Sequence, residues 1–427
     1  MHVLIVGCGV IGVTTAWYLA RGGAAVTVVE RREGPSLETS FANGSMLTPS
    51  LSAPWNSPGV WLTVLKYLGR EEAALLVRSA AFPSLLAWGY RFLRNSRPAR
   101  HEISFRKNLN LCNYSIDIMA EIRSDTAIEY EATLTGVLEV CRDEAAMRRG
   151  REHSRILAAN QVPVKELSTA ALVGMEPALE AIQHDLAGGF FYPADEVGDA
   201  YKFSCRLQEH AERHGANFRF GESAEGLLAR DGRSQGVRLH GGEEIEADQV
   251  VVAAGSYTPG LVRPLGVRVP VCPAKGYSLT APMPEGLPVP GHAVLDDRYK
   301  AGVVPLGGRR IRVGGTVEFT GFNLELSSRR VANLRRLLAG VLPRHAERIP
   351  VDEMRLWCGL RPASPDGVPI LGASGVDGLS LATGHGHLGW SMAAGTGKAV
   401  AQELLGERPE FSLAGYELSR FGQEIRH

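Results

Sequence analysis

The first thirty residues constrain the fold more than any other stretch of the chain. An apolar run over 1–6 is followed by the pattern G-x-G-x-x-G, formed by Gly7, Gly9 and Gly12. A segment typical of a helix comes next, and a second apolar run over 25–29 ends in Glu30. The order strand, glycine turn, helix, strand and acid predicts a βαβ unit that binds a dinucleotide.

Each residue of this unit has a separate physical task in such a site. Gly7 makes the tight turn, Gly9 lets the backbone approach a pyrophosphate, and Gly12 lets the helix pack close to the strand. The helix N-terminus supplies free N–H groups for the phosphates, and Glu30 is placed to accept hydrogen bonds from ribose hydroxyls. A glycine turn that binds nothing is the alternative, and these residues alone leave FAD and NAD open.

Composition and charge exclude several classes of function. The chain of 427 residues carries 46 basic and 46 acidic residues, so no net field attracts nucleic acid. Its six cysteines are scattered without metal-binding spacing, which predicts no metal site and suits the reducing cytoplasm. No apolar run is long enough to span a bilayer.

An aromatic stretch over 51–95 admits two interpretations. It is amphipathic and helical in pattern, and it contains Trp55, Trp61, Tyr67, Trp88, Tyr90 and Arg91. Packing in a core or between domains is the commoner outcome for such residues. Aromatic side chains beside a basic rim also anchor proteins in lipid interfaces, so the stretch is a candidate peripheral contact with the inner face of a membrane.

The pattern of later segments predicts two interleaved domains. The run over 248–256 predicts a buried parallel strand that ends in small residues, including Ala253, Ala254 and Gly255, so the nucleotide domain resumes there after a long insertion. Near the C-terminus a strand over 379–382, a glycine-rich turn and a helix over 391–405 form a second helix N-terminus aimed at a ligand. We assign residues 1–50, 193–266 and 352–427 to a nucleotide-binding domain, and 51–192 and 267–351 to a substrate-binding domain.

Six motifs in a fixed order resemble the D-amino acid dehydrogenase family, a branch of the FAD-dependent amine oxidoreductases that includes glycine oxidase and sarcosine oxidase. They are MHVLIVGCGVIG with Glu30, LETSFANGSM, AAGSYT, KGYS, GLRPASPDGVPILG and TGHGHLGW. The resemblance runs from end to end. It implies an α/β protein with a Rossmann-like FAD-binding domain of the glutathione-reductase type. An α+β substrate domain with a mixed sheet would be interleaved with it and would cover the flavin.

The resemblance also implies which residues bind FAD. Pyrophosphate contacts fall on Gly7, Gly9, Val10, Ile11 and Gly12, ribose contacts on Glu30 with Arg31 beside it, and adenine-side contacts on Ala224, Ala254 and Gly255. The flavin ring would lie beside Ser40, Asn43, Gly44, Ser45 and Met46, and its pyrimidine end would meet Gly386, His387, Leu388, Gly389 and Trp390. Some relatives attach the flavin to a cysteine, but Gly359 occupies that position and Cys358 is adjacent, so we expect non-covalent FAD.

Four residues are candidates for the catalytic end of the site. Arg361 matches the arginine that clamps the substrate carboxylate, and a planar guanidinium suits two-point binding of that group. Tyr277 and Tyr299 match aromatic positions of the substrate pocket, although either could equally be a core tyrosine. His385, with His387, is expected to pack beside the flavin or to hydrogen-bond its edge rather than to act as a general base.

The function implied by the resemblance is oxidation of a D-amino acid, or of a D-proline-like imino acid, by hydride transfer to flavin. The product hydrolyses to a 2-oxo acid and ammonia, and a quinone or another carrier rather than oxygen is the expected electron acceptor. Two alternatives remain. One is an oxygen-reducing oxidase of glycine or sarcosine, and the other is a flavin-carrying subunit of a larger complex.

Overall fold

The computed structural model describes residues 1–66, 69–73, 75–299 and 301–422, so Tyr67 lies outside the described residues. The strands are β1 His2–Val6, β2 Ala25–Glu30, β3 Met46–Leu47, β4 Leu75–Val77, β5 Val137–Cys141, β6 Lys165–Leu167, β7 Gly188–Tyr192, β8 Glu196–Val197, β9 Asn217–Phe220, β10 Ala224–Arg230, β11 Arg233–Leu239, β12 Glu244–Glu246, β13 Gln249–Val252, β14 Cys272–Pro282, β15 Ala293–Asp296, β16 Ala301–Leu306, β17 Arg310–Phe319, β18 Arg355–Ala363, β19 Ile370–Ala373 and β20 Leu379–Thr383. The helices are α1 Val10–Arg21, α2 Val60–Lys66, α3 Phe82–Asn95, α4 Pro98–Thr126, α5 Glu144–Ala159, α6 Thr169–Met175, α7 Ala200–Arg213, α8 Thr258–Val262, α9 Ser328–Val341, α10 Pro343–Arg348 and α11 Gly389–Leu405.

A six-stranded sheet in the order β19-β20-β13-β1-β2-β9 carries the glycine fingerprint. Strand β1 pairs in parallel with both β2 and β13, and β20 pairs in parallel with β13. Because parallel strands are covered on both faces, β1 and β13 are almost continuously apolar and buried. Helices α1, α7 and α11 contribute to the apolar core on one side, and the β10-β11-β12 sheet contributes to the core on the other.

A nine-stranded mixed sheet forms the second layer of the molecule. Its order is β18-β14-β17-β16-β15-β5-β7-β6, with β4 added in parallel to β17. Strands β14, β16, β17 and β18 pair antiparallel, while β15 pairs in parallel with β5. Apolar residues of helix α9 pack with this sheet in one core. The two sheets confirm the predicted α/β class, with a Rossmann-like domain and a mixed-sheet domain.

Two segments lie in a different layer from the one that the sequence predicted. Strand β18, which we assigned to the nucleotide-binding domain, pairs with β14 from Cys272 opposite Ala363 to Thr280 opposite Arg355 and so belongs to the nine-stranded sheet. Helix α4, which we assigned to the substrate-binding domain, buries Leu111 and Ile118 in the core that covers the six-stranded sheet. Neither position follows from segment order, because strand pairing and helix packing are set by contacts distant in sequence.

No helix within the described part of the chain is both long and apolar enough to cross a bilayer.

Candidate active site

A cavity of about 580 Å³ opens where the two sheets meet. One part, which we call the nucleotide end, is lined by residues of the six-stranded sheet and its loops, including Gly9, Glu30, Ala224 and Ala254. The other part, the substrate end, is lined largely by the nine-stranded sheet and includes Met46, Trp55, Tyr277, Thr316, Trp357 and Arg361. Residues from distant parts of the chain therefore line a single cavity.

The glycine fingerprint has the geometry that its spacing predicts. Gly7 has a φ of +103°, and an added Cβ would lie 2.8 Å from the carbonyl oxygen of Ala253. A Cβ on Gly12 would lie 2.0 Å from the Gly7 carbonyl oxygen, so this glycine permits close packing of α1 on β1 and does not line the cavity. A Cβ on Gly9 would meet only the Ser40 hydroxyl, at 3.6 Å, so the backbone at Gly9 stays open to a ligand.

Glu30 is a buried carboxylate at the end of β2 that lines the nucleotide end. Its two oxygens accept hydrogen bonds from the backbone N–H groups of Cys8 at 2.8 Å and Arg32 at 2.9 Å. An ionised carboxylate has about four acceptor positions, so capacity remains for hydroxyl donors. Arg31 also lines the cavity, where it pairs with Glu38 at 2.6 Å and lies 3.8 Å from the ring centre of Tyr257.

The loop over 40–46 crosses from one sheet to the other. The Ser40 hydroxyl accepts from the Val10 N–H at 3.3 Å, and the Ser278 hydroxyl of β14 donates to the Ala42 carbonyl at 2.6 Å. Four of its predicted cofactor contacts line the cavity: Ser40, Asn43, Gly44 and Met46. Ser45 does not, because it turns inward and its hydroxyl accepts from Arg312 at 2.8 Å.

The N-terminus of α11 faces the cavity through all five of its predicted contacts, which are Gly386, His387, Leu388, Gly389 and Trp390. The first N–H groups of a helix have no partner within the helix, so this end can stabilise negative charge. His385 also lines the cavity, and its Nε2 lies 3.1 Å from the Thr396 hydroxyl. Burial lowers the pKa of His385 to about 3, so this ring is neutral at physiological pH.

His387 is likewise neutral. Burial, and then the positive charge of Arg361, lower its pKa to about 4. Its ring stacks on Trp55 with centroids 4.9 Å apart, which places Trp55 in the wall of the cavity. Neither histidine therefore has the pKa of an effective general base near neutral pH.

Arg361 is a cation that has no acidic partner among the residues that the structure describes. It lies on β18 opposite Ala274, and its guanidinium covers Gly276, where an added Cβ would be 1.6 Å from Nη1. Nη1 is buried and has no hydrogen-bond partner, and burial lowers the pKa of the guanidinium to about 10. A buried, unpaired charge of this kind is costly unless an anion joins it.

The backbone on either side of Arg361 is held firmly. The Leu360 carbonyl accepts from the hydroxyls of Thr39 at 2.8 Å and Ser256 at 3.0 Å. The Pro362 carbonyl accepts from the Gly386 N–H at 2.9 Å. These bonds attach β18 to loops of the six-stranded sheet, so the position of Arg361 is fixed relative to the nucleotide end.

The two candidate tyrosines lie in different environments. Tyr277 lines the substrate end, and its hydroxyl donates to Glu318 at 2.5 Å. Tyr299 is not among the cavity-lining residues, because its ring packs against Gly340 of α9 in the core of the nine-stranded sheet. Tyr299 is therefore a partly buried residue packed against that core, outside the cavity lining.

Several residues that line the cavity have no predicted role in the site, among them Trp55, Gly276, Thr316 and Trp357. Trp55 was assigned to core packing or a membrane surface, while Gly276, Thr316 and Trp357 were given no task. The KGYS and GLRP motifs contain or border Gly276 and Trp357, so their neighbourhood was a usable signal. Thr316 offers only the flanking pair Gly314-Gly315 as a hint, because its exposure to the cavity depends on strand register.

The residues present fit FAD. The open backbone at Gly9, the carboxylate of Glu30 and the two helix N-termini of α1 and α11 line one continuous cavity. None of the six cysteines lines it, and the Cys358 thiol lies 3.0 Å from the Leu324 carbonyl oxygen. The fold and cavity together are those of a dinucleotide-binding protein, and the substrate end contains the buried Nη1 of one arginine, Arg361.

A family model described as FAD dependent oxidoreductase matches residues 2–403, and the chain belongs to this family. FAD is accordingly its cofactor. The chain is 39% identical over 421 residues to a D-amino acid dehydrogenase of Allorhizobium ampelinum, with 99% of each protein covered. It is 38% identical over 423 residues to a D-amino acid dehydrogenase of Xanthobacter autotrophicus, covering 99% of this chain and 100% of the relative.

Solved structures share the fold at lower identity. Glycine oxidase from Geobacillus kaustophilus superimposes with a TM-score of 0.77 at 23% identity, covering 98% of both chains. L-proline dehydrogenase from P. horikoshii gives a TM-score of 0.77 at 18% identity, covering 99% of this chain and 97% of that one. At these identities the similarity is one of fold.

Proposed function

We propose that the protein is a D-amino acid dehydrogenase that converts its substrate to a 2-oxo acid and ammonia. The observation that carries this proposal is the unpaired guanidinium of Arg361, buried in the cavity that the flavin site shares. An amino acid carboxylate supplies the missing partner. The names of two relatives that are 38% and 39% identical over nearly the whole chain support the D-amino acid class.

The residues of the chain mainly bind and orient. Arg361 donates parallel hydrogen bonds to the carboxylate and so directs the Cα–H into the cavity. FAD, when bound, supplies the acceptor for the hydride from Cα. The α11 N-terminus stabilises the negative charge that this transfer brings to the site. The substrate amine must be neutral, so that its lone pair forms the C=N bond as hydride leaves, and water then hydrolyses this bond.

The lining of the substrate end favours a substrate with one carboxylate and an uncharged side chain. Trp55, Trp357, Tyr277 and Met46 give this end aromatic and apolar surface. Within the described residues, Arg361 is the one arginine, lysine, aspartate or glutamate that lines the cavity outside the nucleotide end. A second carboxylate or an ammonium group on the substrate would have no counter-charge there.

Variants of Arg361 test the proposal. Losing one side of a buried charged pair costs about 2–5 kcal/mol, so Arg361→Ala should lower kcat/KM by roughly 30- to 5,000-fold. Arg361→Lys restores the positive charge without the planar guanidinium that donates two parallel hydrogen bonds, and it should recover part of the loss. FAD content should stay normal, and an amine lacking the carboxylate should react no worse with Arg361→Ala than with the wild type. Wild-type kcat/KM in Arg361→Ala would refute the clamp.

We further propose that a membrane quinone accepts the electrons and that the face of α3 contacts the membrane. Phe82, Leu86, Tyr90 and Leu93 are exposed on one side of α3, with Leu86 71% and Tyr90 69% accessible. Exposed Arg94 and Arg97 adjoin this apolar face and match anionic headgroups in charge. The wider aromatic stretch does not act as a unit, because Trp55 lines the cavity and the Trp88 Nε1 donates to the Ala363 carbonyl at 2.9 Å.

Vesicle binding and acceptor preference test this arrangement. Holoenzyme should sediment with vesicles containing anionic lipid, while a Leu86→Glu/Tyr90→Glu variant should not and should keep its activity with a soluble dye. Reduced enzyme should pass electrons to a quinone much faster than to oxygen. Rapid peroxide formation without vesicle binding would favour the oxidase alternative. All six cysteines are free thiols, in keeping with a location on the cytoplasmic side.

A further inference from the structure

Thr316 has a backbone conformation that β-branched residues such as threonine rarely adopt. Its φ is +53°, in the left-handed region, where a β-branched residue is an outlier. The cause is a register shift between β14 and β17. Gly276 pairs with Val317 and Tyr277 pairs with Gly315, so Thr316 bulges out with no partner on β14. Bulges of this kind often redirect a side chain beside an active site.

The side chain of Thr316 has an unmet hydrogen-bonding group. The residue is only 9% exposed, it lines the cavity, and its hydroxyl has no hydrogen-bond partner in the described part of the chain. Buried hydroxyls are usually paired, and Thr316 is the one residue with an unpaired hydroxyl that also lines the cavity, among the described residues. The strained backbone and the free hydroxyl are independent observations on one residue.

Thr316 lies close to Gly276, the residue that the Arg361 guanidinium covers. The Arg361 guanidinium covers Gly276, and Gly276 is the cross-strand partner of the residue that follows Thr316. Arg361 Nη1 and Thr316 Oγ1 are both buried without partners in the wall of the same cavity. The two unsatisfied donors lie on β18 and β17, the strands on either side of β14, and together they suit a single anion with two oxygens.

Tyr277, the other polar side chain nearby, has no proton to offer to an anion. Its hydroxyl donates to Glu318, which Arg78 and Lys275 also contact. Burial alone would raise the pKa of Glu318, but the hydrogen bonds from Tyr277 and Arg78 and the charge of Lys275 hold it below its usual value. Glu318 therefore remains a carboxylate, and the phenol proton stays committed to it. The second neutral donor must come from elsewhere.

We propose that Thr316 is a substrate-binding residue whose hydroxyl donates a hydrogen bond to the same carboxylate that Arg361 binds. This inference rests on the proposed function, since it takes the ligand of Arg361 to be a carboxylate. On this proposal, the bulge in β17 turns the Thr316 hydroxyl toward the substrate.

Binding of a carboxylate that cannot be oxidised tests the proposal without turnover. Benzoate is titrated into FAD-loaded protein, and the change in flavin absorbance gives its Kd. A hydrogen bond to a charged group is worth about a 10- to 100-fold change in affinity, so Thr316→Val should raise Kd by that factor. Thr316→Val keeps the branched shape, and Thr316→Ser, which keeps the hydroxyl, should remain within about threefold of wild type.

Two further variants separate binding from folding and from other roles. Thr316→Gly removes the hydroxyl at a φ that glycine adopts freely, and it should show the same loss as Thr316→Val. In an Arg361→Ala background, Thr316→Val should have little further effect, because the carboxylate is no longer held in place.

Wild-type benzoate affinity in Thr316→Val or Thr316→Gly would overturn the proposal. So would an equal loss in the Arg361→Ala background, or failure of Thr316→Ser to retain binding. The result is separable from the proposed function. If wild type oxidises no D-amino acid but both Thr316→Val and Arg361→Ala weaken benzoate binding in a coupled way, Thr316 still binds carboxylate and only the substrate class is wrong.

Discussion

Replacing Gly276 with alanine should disable the substrate clamp without touching Arg361 itself. An alanine Cβ at this position would lie 1.6 Å from Nη1, 2.2 Å from Cζ and 2.6 Å from Nη2 of Arg361. Nonbonded heavy atoms pack at about 3.5–4 Å, so the guanidinium must move by roughly 2 Å. The contact is with the end of a flexible side chain rather than with backbone. The clamp should therefore shift while β14 stays paired.

The loss should be smaller than that caused by removing Arg361, because the positive charge remains in the cavity. Displaced hydrogen bonds to a charged group cost about 1.5–3 kcal/mol, which corresponds to a kcat/KM roughly 10- to 100-fold lower. The assay is steady-state oxidation of the best D-amino acid with a dye acceptor, accompanied by measurement of FAD content. Gly226→Ala in β10 is the matched control, since nothing lies within 4 Å of its added Cβ. Wild-type kcat/KM in Gly276→Ala would refute the reasoning, as would a further loss when Gly276→Ala is added to Arg361→Ala.

Four other predictions concern the cofactor and pH. Glu30→Ala should weaken FAD binding about 10- to 100-fold with kcat at saturating FAD little changed, and unchanged affinity in a fluorescence titration would show that Glu30 does not hold the ribose. Acid precipitation should release FAD into the supernatant, whereas flavin that stays with the protein would reveal a covalent bond. The pKa of Arg361 is lowered to about 10, so its positive charge is present below that pH and lost above it. Benzoate affinity should therefore fall by about tenfold for each pH unit above 10. With His385 and His387 neutral above pKa values of about 3 and 4, the same titration should show no step between about pH 5 and 8, and a step there would contradict their assigned protonation.

The parts of the site that are local in sequence could be predicted from sequence. Gly7, Gly9 and Glu30 belong to one βαβ unit, so their spacing fixes their relation once the strands pair. The α11 N-terminus was predictable for the same reason, since a strand, a glycine turn and a helix follow each other directly.

The parts that depend on pairing between distant strands could not be predicted. Thr316 reaches the cavity because β14 and β17 slip by one residue at Gly276, and no local pattern reports such a slip. Trp55 and Tyr299 are both aromatic residues whose location no local pattern reports, and tertiary packing places one in the cavity wall and the other against α9. Strand β18 follows a helical segment of the substrate layer, and only its pairing with β14 shows that it stays in that layer.

The most direct test of the central claim is anaerobic reduction of the bound flavin by matched D- and L-amino acids. We predict that D-enantiomers with apolar side chains bleach the flavin absorbance completely and yield one 2-oxo acid per FAD, while L-enantiomers, glycine and sarcosine react far more slowly. The account would be contradicted if the flavin stayed oxidised with every D-amino acid. It would also be contradicted if glycine or sarcosine bleached the flavin fastest.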